Sequence, residues 1–414
     1  MNPRDAELIA IGSELLGPIR LDTNGSFLAR RLGERGIAVR FRTVVGDDIE
    51  DLRDAFRVAL GRAGLVIATG GLGPTVDDLT REAVAGLLGL PLDEDPAILA
   101  GIEERFGRHG HVMPPQNRRQ ALVPRGAVVL PNPVGTAPGL LLRAGGRIAA
   151  LLPGVPAEMR AMVDESLLPL IEGTGQRFVH RVLKIAGLTE SDVDRRLLDV
   201  HRVAGPVEWT ILALAGQIEI HLRQSAPEGS EAPDLERLDA AIAAILGERL
   251  FGRDDETLEG VVGRILQGRG ESLSVAESLS GGGVSRRITS VPGASRYFRG
   301  GVVCYSDDAK MSLAAVPLEA LRRHGAVSEP VALLMAEGIA RQVGAHWGLA
   351  TTGYAGPEGG GAAHPPGTVC IAVTGPGVSV STQTRLPGDR VSVQERSAYS
   401  ALDLLRRALL GCPT

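Results

Sequence analysis

Two places in the chain share one arrangement, in which a short, mostly apolar segment runs into glycines and then into a helix-like segment. Residues 65–68 lead into Gly70, Gly71 and Gly73, and residues 273–276, apolar except for Ser274, lead into the three glycines 281–283. A largely apolar strand is typical of a parallel sheet covered on both faces. Glycines after such a strand let a ligand approach the backbone, and the next helix offers free N–H groups. The pattern predicts two ligand-binding α/β sheets.

The first 172 residues alternate between strand-like and helix-like periodicity, which indicates right-handed βαβ units in a doubly wound sheet. Thr23 or Asn24 and Asp48 are plausible N-caps for the first two helices. Strands are predicted at 8–11, 38–45, 65–68, 127–130, 139–142 and 147–152, and helices at 22–35, 48–62 and 156–170.

The rest of the chain divides at a change of composition near residue 172 and again near 254. Residues 173–253 predict a small α+β module that serves as a spacer or dimerisation element, with strands at 179–185 and 217–222, helices at 191–200 and 235–246, and an exposed loop at 225–233. From residue 254 to 414 the alternation resumes, which predicts a second doubly wound α/β domain.

Composition narrows the class of protein. The formal charge of −5 argues against direct nucleic-acid binding, which needs a dense basic surface. Cys304, Cys370 and Cys412 are too far apart for a disulfide framework or a metal knuckle. The N-terminus does not resemble a secretory signal and no apolar run is long enough to span a membrane, so we expect a cytoplasmic protein.

Lysine is almost absent from the chain. Of the 44 basic residues, 42 are arginine, and Lys184 and Lys310 are the only lysines. Coding bias explains the arginines. A lysine that persists under such a bias is of interest, because arginine cannot supply a deprotonated amine.

The first glycine-rich segment combines glycine with paired carboxylates. Asp77 and Asp78 would repel a phosphate unless a divalent cation lay between them, and Mg²⁺ is commonly held by one or two carboxylates plus substrate phosphates. Glu14 and Asp47 follow predicted strands and would lie at the same edge of the sheet. The alternative is a capped helix with exposed turn carboxylates. Further candidates for binding are Gly70, Gly71, Gly73, Thr75, Asn132, Gly135 and Thr136.

The second glycine-rich segment carries hydroxyls instead of carboxylates. Ser278, Ser280, Gly281 and Gly282 suit a phosphate or an oxyanion, unless the segment is only a capped helix start. Lys310 could act as the base for a serine nucleophile if burial depressed its pKa. Further candidates for binding lie in a glycine-rich loop, for which a flexible surface loop is the competing interpretation: Thr352, Gly353, Gly356, Gly359 and Gly360.

Taken in order, these segments resemble the competence/damage-inducible protein CinA family over nearly the whole chain. The resemblance rests on the segments 69–78, 132–139, 152–159, 276–278, 300–310, 325–329 and 352–368. It implies an N-terminal molybdopterin-binding-like domain (1–172), a KH-like module (173–253) and a C-terminal amidase-like domain (254–414). It also implies a homodimer.

The resemblance further implies a hydrolase of pyridine-nucleotide salvage. The C-terminal domain would deamidate nicotinamide mononucleotide, without a cofactor, to nicotinate mononucleotide and ammonia. The N-terminal domain would hydrolyse ADP-ribose with a divalent ion (Mg, Mn or Co) held by Asp77, Asp78 and Glu14. In the deamidase, Lys310 would accept the proton of a serine nucleophile, with Ser295 preferred and Ser278 second, and Tyr305, Thr352 and Arg390 would bind or position the nucleotide.

The chain departs from the usual family motifs at four positions: Leu279 replaces a cysteine, Ser280 a threonine, Asp307 an asparagine and His364 a lysine. Two other interpretations are therefore kept. One is a nucleotide-binding regulatory protein that has lost one or both activities, and the other is a molybdopterin-binding protein.

Overall fold

A computed structural model describes residues 3–18, 20–108, 110–361 and 364–412. The chain divides into two compact units. One unit contains residues 1–179 and 225–232, and the other contains residues 180–224 and 233–414.

The first unit is built around a six-stranded sheet in the order β2-β1-β3-β8-β7-β6. Strands β1, β2, β3 and β8 are parallel, and β7 and β6 are added antiparallel at one edge. Its strands are β1 (Asp5–Ile11), β2 (Ala38–Val45), β3 (Leu65–Thr69), β6 (Val128–Leu130), β7 (Gly139–Ala144) and β8 (Arg147–Leu152). A separate pair consists of β4 (Leu92–Glu94) and β5 (Leu122–Pro124).

Helices cover the sheet and bury an apolar cluster against each of its faces. Asp48 is the N-cap of α2, as predicted, and its carboxylate accepts hydrogen bonds from the N–H groups of Glu50 and Asp51. Thr23 occupies the N-cap position of α1 without a side-chain bond, and Asp22 accepts from the N–H of Gly25 instead. The helices are α1 (Asn24–Gly33), α2 (Ile49–Arg62), α3 (Thr80–Leu88), α4 (Pro96–Arg108) and α5 (Pro156–Met162).

The predicted helix at 156–170 is shorter in the structure. α5 ends at Met162 and continues as a π turn over Val163–Leu167 and a 3-10 turn over Leu168–Leu170. Pro169 lacks the backbone N–H that an α-helix needs at this position, so the last turns follow another hydrogen-bonding pattern.

The middle module has a four-stranded sheet in the order β10-β11-β9-β12, with two helices. Sequence periodicity missed β10 and β12, because β10 has no buried residue and β12 has only four residues. The predicted loop at 225–233 is also partly wrong, since β11 continues to Pro227. The elements are β9 (Gln176–Ala186), α6 (Glu190–Arg202), β10 (Glu208–Leu214), β11 (Gln217–Pro227), α7 (Pro233–Leu246) and β12 (Leu250–Arg253).

The C-terminal sheet has the order β14-β13-β15-β16-β17, in which the first three strands are parallel and the last two antiparallel. The prediction of α/β sheets at both ends of the chain with an α+β module between them is confirmed. The strands are β13 (Leu273–Glu277), β14 (Phe298–Val303), β15 (Trp347–Gly353), β16 (Thr368–Gly375) and β17 (Val378–Arg385). The helices are α8 (Leu258–Arg269), α9 (Gly283–Thr289), α10 (Asp307–Ala314), α11 (Leu318–His324), α12 (Glu329–Val343) and α13 (Arg390–Leu409).

None of the helices within the described residues is both long enough and apolar enough to cross a bilayer.

Candidate functional site

A cavity of about 460 Å³ opens at the carboxyl ends of the parallel strands of the C-terminal sheet. Ser278 directly follows β13, and Tyr305 follows β14 by two residues, so adjacent strands deliver both side chains to one edge. Open parallel sheets bind ligands at this edge. Most of the cavity is lined by Ser278, Leu279, Tyr305, Asp307, Lys310, Ala326, Val327, Thr352, Gly353, Tyr354, Gly356, Glu358 and Arg390.

Lys310 reaches into this cavity from α10 and is 97% buried, with 3% of its surface exposed. Its Nζ donates to Ser278 Oγ and to the backbone carbonyl of Cys304, both at 3.3 Å. Ser306 fixes the start of α10 by accepting a hydrogen bond from the N–H of Ala309. A lysine amine and a serine hydroxyl are therefore within reach of each other in a shielded place.

Burial lowers the pKa of Lys310 below its usual value, because an ammonium ion loses its hydration there. Cys304, Asp307 and Tyr305 favour the charged form but do not outweigh burial. The charge of Asp307 thus acts on Lys310, yet the net shift of its pKa favours the neutral amine that a base requires.

Ser278 is 7% exposed, and its backbone N–H donates to the carbonyl of Thr351 at 2.9 Å. Within the described residues, the next two N–H groups, of Leu279 and Ser280, have no hydrogen-bond partner. Such N–H groups beside a hydroxyl are the donors that an oxyanion needs.

The preference for Ser295 as the partner of Lys310 is not supported. Ser295 lies in an exposed 3-10 turn before β14, at the amino end of the parallel strands, whereas Ser278 and Lys310 lie beyond their carboxyl ends. The six-residue β14 separates the two edges, and a strand of that length spans about 20 Å. The sequence contained a signal for this outcome, since Ser278 comes just after the strand-like segment 273–276, at the edge where open parallel sheets bind ligands.

The glycine-rich turn after β13 is occupied by a side chain that sequence reasoning overlooked. The carboxylate of Glu277, fully buried, accepts from the N–H groups of Gly282, Val284 and Ser285 at 2.8–3.0 Å and from the hydroxyls of Ser280 and Ser285. The prediction that Ser280, Gly281 and Gly282 bind a ligand phosphate is therefore not supported, because the hydroxyl of Ser280 and the N–H of Gly282 donate to Glu277, and the N–H of Gly281 donates to the carbonyl of Ser278. The N–H of Ser280 is left for the predicted alternative, an oxyanion.

The predicted nucleotide-binding residues Arg390, Tyr305 and Thr352 all line the cavity. Arg390, at the start of α13, donates to the carbonyl of Gly356 at 2.8 Å and to the hydroxyl of Tyr305 at 2.6 Å. Tyr305 is 60% exposed. Thr352 and Gly353 line the inner wall, where the hydroxyl of Thr352 donates to the carbonyl of Ala326.

Gly359 and Gly360 do not line this cavity. A Cβ atom on Gly359 would lie 2.6 Å from the carbonyl of His364, and one on Gly360 would lie 2.6 Å from the ring of Tyr354. Both glycines thus allow the loop to fold against itself, and the prediction that they bind the substrate is not supported. His364 stacks on Tyr354 with ring centroids 6.3 Å apart.

The N-terminal unit has its own cavity of about 450 Å³ beside the first glycine-rich segment. Gly71, Leu72 and Gly73 line it, and within the described chain their N–H groups have no hydrogen-bond partner. Gly70 and Gly71 have positive φ angles of 113° and 64°, so glycine is needed for this turn. Carboxylates dominate the remaining lining: Glu14, Asp22, Asp47, Asp77, Asp78 and Glu158, with Arg20 as the basic side chain.

These carboxylates line one cavity but do not form a ready-made metal centre. Within the described residues there is no group of three or more His, Cys, Asp or Glu side chains that could hold a metal. Asp47 accepts from the N–H and hydroxyl of Ser13, and Glu14 lies 3.6 Å from Arg20. The prediction of a three-carboxylate site from Asp77, Asp78 and Glu14 is therefore not supported as stated.

Asp77 and Asp78 still fit a hard cation that shares its coordination with phosphate oxygens, as Mg²⁺ commonly does. Asp78 accepts from the N–H of Thr75 at 2.9 Å and from its hydroxyl, which holds the turn in place. A hydrogen bond from Thr75 lowers the pKa of Asp77, with a smaller effect from the charge of Arg119. Thr75 shapes the turn and does not line the cavity.

Within the loop 132–139, Asn132 and Gly135 position another side chain of the cavity and do not line the cavity themselves. Asn132 accepts from the N–H groups of Val134 and Gly135 and donates to Glu158 at 2.7 Å. A Cβ atom on Gly135 would lie 1.8 Å from the same carboxylate. Asn132 and Gly135 therefore position Glu158, which does line the cavity, and Thr136 is the predicted loop residue that lines it.

Two arginines hold the backbone of the first glycine-rich segment in place by hydrogen bonds. Sequence analysis did not identify them. Arg81 is fully buried and donates to the carbonyls of Leu72 and Arg119. Arg119 donates to the carbonyls of Thr75 and Asp78. Nothing in local sequence distinguishes them among 42 arginines, since their role depends on contacts between distant segments.

Three domain families match the chain in order. They are described as a probable molybdopterin binding domain (residues 7–173), the damage-inducible protein CinA KH domain (180–252) and the CinA C-terminal domain (255–409).

Similarity to individual proteins extends over the full length. A competence-damage inducible protein of Symbiobacterium thermophilum is 45% identical over 98% of this chain and 99% of its own. A CinA-like protein of Gloeobacter violaceus is 43% identical over 98% of this chain and 97% of its own. The crystal structure of CinA from Thermoplasma acidophilum is 39% identical over 41% of this chain and all of its own, with a TM-score of 0.39.

Proposed function

The chain belongs to the CinA family, and on that basis we propose that its C-terminal domain is a nicotinamide mononucleotide deamidase. The observation that carries the proposal is the buried contact of 3.3 Å between Lys310 Nζ and Ser278 Oγ at the base of a cavity. A protein that only binds nucleotides has no need of a lysine amine whose pKa is lowered beside a serine hydroxyl.

In the first half of the reaction, Lys310 takes the proton of Ser278, and the serine oxygen attacks the carboxamide carbon of the substrate. The N–H groups of Leu279 and Ser280 stabilise the negative charge on the carbonyl oxygen. Lys310 then returns the proton to the amide nitrogen, the C–N bond breaks, and ammonia leaves.

In the second half, water attacks the resulting ester and gives its proton to Lys310. The bond to Ser278 breaks, the serine is reprotonated, and the carboxylate product is released. One water is consumed, and the products are nicotinate mononucleotide and ammonia.

The positions of charge in the cavity suit this substrate. Arg390 lies at the rim, where an anionic phosphate stays near solvent. Lys310 and Ser278, together called the dyad, lie deeper, where an uncharged carboxamide is preferred. Tyr305 bonds to Arg390 and would share the contact with the phosphate or ribose.

The test is ammonia release from nicotinamide mononucleotide by the full chain. We expect Lys310→Arg and Ser278→Ala each to lower kcat by at least about 10³-fold, as loss of an activated nucleophile or its base does. Lys184→Arg, at the other lysine, and Ser295→Ala, at the exposed serine, are the matched controls and should keep wild-type rates.

Other outcomes would contradict the assignment. Activity that survives in Lys310→Arg would remove the lysine from the role of base. Loss in Ser295→Ala with retention in Ser278→Ala would restore Ser295 as nucleophile. No ammonia from any form, with nucleotide binding retained, would favour a regulatory binding protein.

For the N-terminal domain we propose metal-dependent hydrolysis of the diphosphate of ADP-ribose. The supporting observation is a cavity that joins free N–H groups of Gly71 and Gly73 to the carboxylates of Asp77 and Asp78. A bound divalent ion would neutralise phosphate oxygens and activate water. The glycine N–H groups would hold one phosphate, and Asp77 would hold the ion against it.

The N-terminal proposal is tested by phosphate release from ADP-ribose products with a coupled phosphatase, with and without Mg²⁺, Mn²⁺ or Co²⁺. We expect Asp77→Asn to abolish metal-dependent turnover and Glu50→Gln, a surface carboxylate of α2, to leave it unchanged. Equal turnover in Asp77→Asn would disprove the site. Binding of molybdopterin without any hydrolysis would favour a molybdopterin-binding function for this domain.

A further inference from the structure

We propose that Glu277 is a positioning residue that fixes Ser278 in the geometry needed to react with Lys310. The inference rests on the proposed deamidase, but the structural relation itself is independent of the substrate. Glu277 is fully buried and immediately precedes the nucleophile.

The side chain of Glu277 takes the place that a bound anion has in other glycine-rich turns. Three backbone N–H groups and two hydroxyls donate to its two oxygens, so the start of α9 is satisfied from within the protein. The turn that contains Ser278, Leu279 and Ser280 is thereby held before any substrate arrives.

The backbone of Glu277 reaches the other member of the dyad. Its carbonyl accepts from the N–H of Cys304 at 2.8 Å, and the carbonyl of Cys304 accepts from Lys310 Nζ at 3.3 Å. A second connection runs through Ser280, whose hydroxyl contacts both Glu277 and Thr351, the residue that accepts from the N–H of Ser278. Both Ser278 and Lys310 are thus anchored to the same buried residue.

The carboxylate also determines where a substrate phosphate cannot bind. A phosphate at the start of α9 would compete with a buried carboxylate for the same donors, and like charges in a buried site repel strongly. The turn therefore serves the serine and its oxyanion, and the nucleotide phosphate is left to groups at the rim such as Arg390.

Glu277→Gln tests the proposal, because glutamine has the same shape but places an NH₂ donor among N–H donors. We expect kcat for nicotinamide mononucleotide to fall about 10²-fold, since a shift of about 1 Å in a reacting group has that effect. KM should stay within about twofold, because the rim is unchanged. Ser285→Ala removes one hydroxyl donor and keeps the carboxylate, so we expect it to lower kcat much less than Glu277→Gln does.

A second readout does not depend on the natural substrate. Phenylmethanesulfonyl fluoride labels an activated serine by forming an O–S bond with loss of fluoride, while the proton passes to the base. We expect wild-type protein to be labelled at Ser278 at a rate that rises with pH, and Glu277→Gln to react about 10²-fold more slowly. Peptide mass spectrometry identifies the labelled serine, even if nicotinamide mononucleotide is not the substrate.

The outcomes separate positioning from a purely structural role. If Glu277→Gln lowers Tm but the folded protein keeps the wild-type kcat and labelling rate, the proposal is overturned. If Glu277→Gln does not fold, the double variant Ser280→Ala with Ser285→Ala replaces it, with an expected tenfold loss of labelling rate by the folded protein. An unchanged rate there would also overturn the proposal.

Discussion

At the scale of single residues, the chemistry proposed for the C-terminal domain depends on one amine in an unusual place. Lys310 is buried beside Ser278, and burial outweighs the neighbouring groups that favour its charged form. Arginine forms the buried bridges of the chain, such as Arg181–Asp239 and Arg406–Asp403. Lys310 lies where loss of the charge is favoured, whereas Lys184 donates to the carbonyl of Glu256 and has no part in the proposed chemistry.

The pH dependence expected for the proposed deamidation follows from the lowered pKa of Lys310. The base is active when neutral, so kcat/KM is low in acid and rises with pH through the pKa. We expect the plateau to begin below the usual lysine range, measured as ammonia release from pH 6 to 10. A rise that begins only in the usual lysine range would contradict a buried base.

The same shift predicts an effect on stability. Because the pKa of Lys310 is lower in the folded than in the unfolded chain, the unfolded chain binds more protons between the two pKa values, and stability rises with pH across that window. Lys310→Met removes this contribution of Lys310 to the pH dependence of stability. We expect its Tm to exceed that of wild type at pH 7 and the difference to shrink as pH approaches the unfolded pKa, by differential scanning fluorimetry. A constant difference would contradict the shift.

At the scale of elements, close packing between helix α12 and its neighbours depends on glycines, which have no Cβ atom. A Cβ atom on Gly338 would lie 1.7 Å from the carbonyl of Ala314, and one on Gly348 would lie 1.9 Å from the carbonyl of Ala336. The contact with Ala314 joins α12 to the end of α10, the helix that carries Lys310. Glycine here sets a distance between elements and does not provide a turn.

Two glycine-to-alanine changes should therefore have opposite signs. The added methyl group of Gly338→Ala would push α12 away from the end of α10, so this change should lower the free energy of unfolding by about 3 kcal/mol. Gly268→Ala, in α8 with nothing near its added methyl group, should raise it by about 0.5–1 kcal/mol. Urea unfolding of both variants measures the difference. Equal effects would contradict the packing described.

The helix caps give a second prediction at this scale. Asp48→Ala removes two hydrogen bonds at the start of α2 and should lower the free energy of unfolding by about 1 kcal/mol in urea. Thr23→Ala, at an N-cap position without a side-chain bond, is the matched control and should change it by less than about 0.5 kcal/mol.

At the scale of the whole molecule, the two candidate sites lie in different compact units. Every residue that lines the N-terminal cavity lies between Ile11 and Glu158, and every residue that lines the C-terminal one lies between Ser278 and Arg390. Each cavity is complete within its own unit. The two proposed reactions therefore need no shared residue.

Independence of the two reactions is the prediction at this scale. Lys310→Arg should abolish ammonia release and leave metal-dependent hydrolysis of ADP-ribose within about twofold of wild type, and Asp77→Asn should do the reverse. Both assays are run on the full chain. Loss of both activities in either single variant, with Tm unchanged, would show that the sites are coupled.

Elements that depend on local pattern could be predicted from the sequence alone. Apolar runs located the buried strands, and Asp48 marked the start of α2. The scarcity of lysine singled out Lys310. These features are short-range, since they follow from propensity, periodicity and composition.

Which side chains meet depends on the tertiary structure. It joined Lys310 to Ser278 instead of Ser295, because β14 separates the two edges of the sheet. It also filled the glycine-rich turn with Glu277, and it tied Asp47 to Ser13. A local pattern shows that free N–H groups exist at a turn, but the side chain that satisfies them is chosen by how distant segments pack.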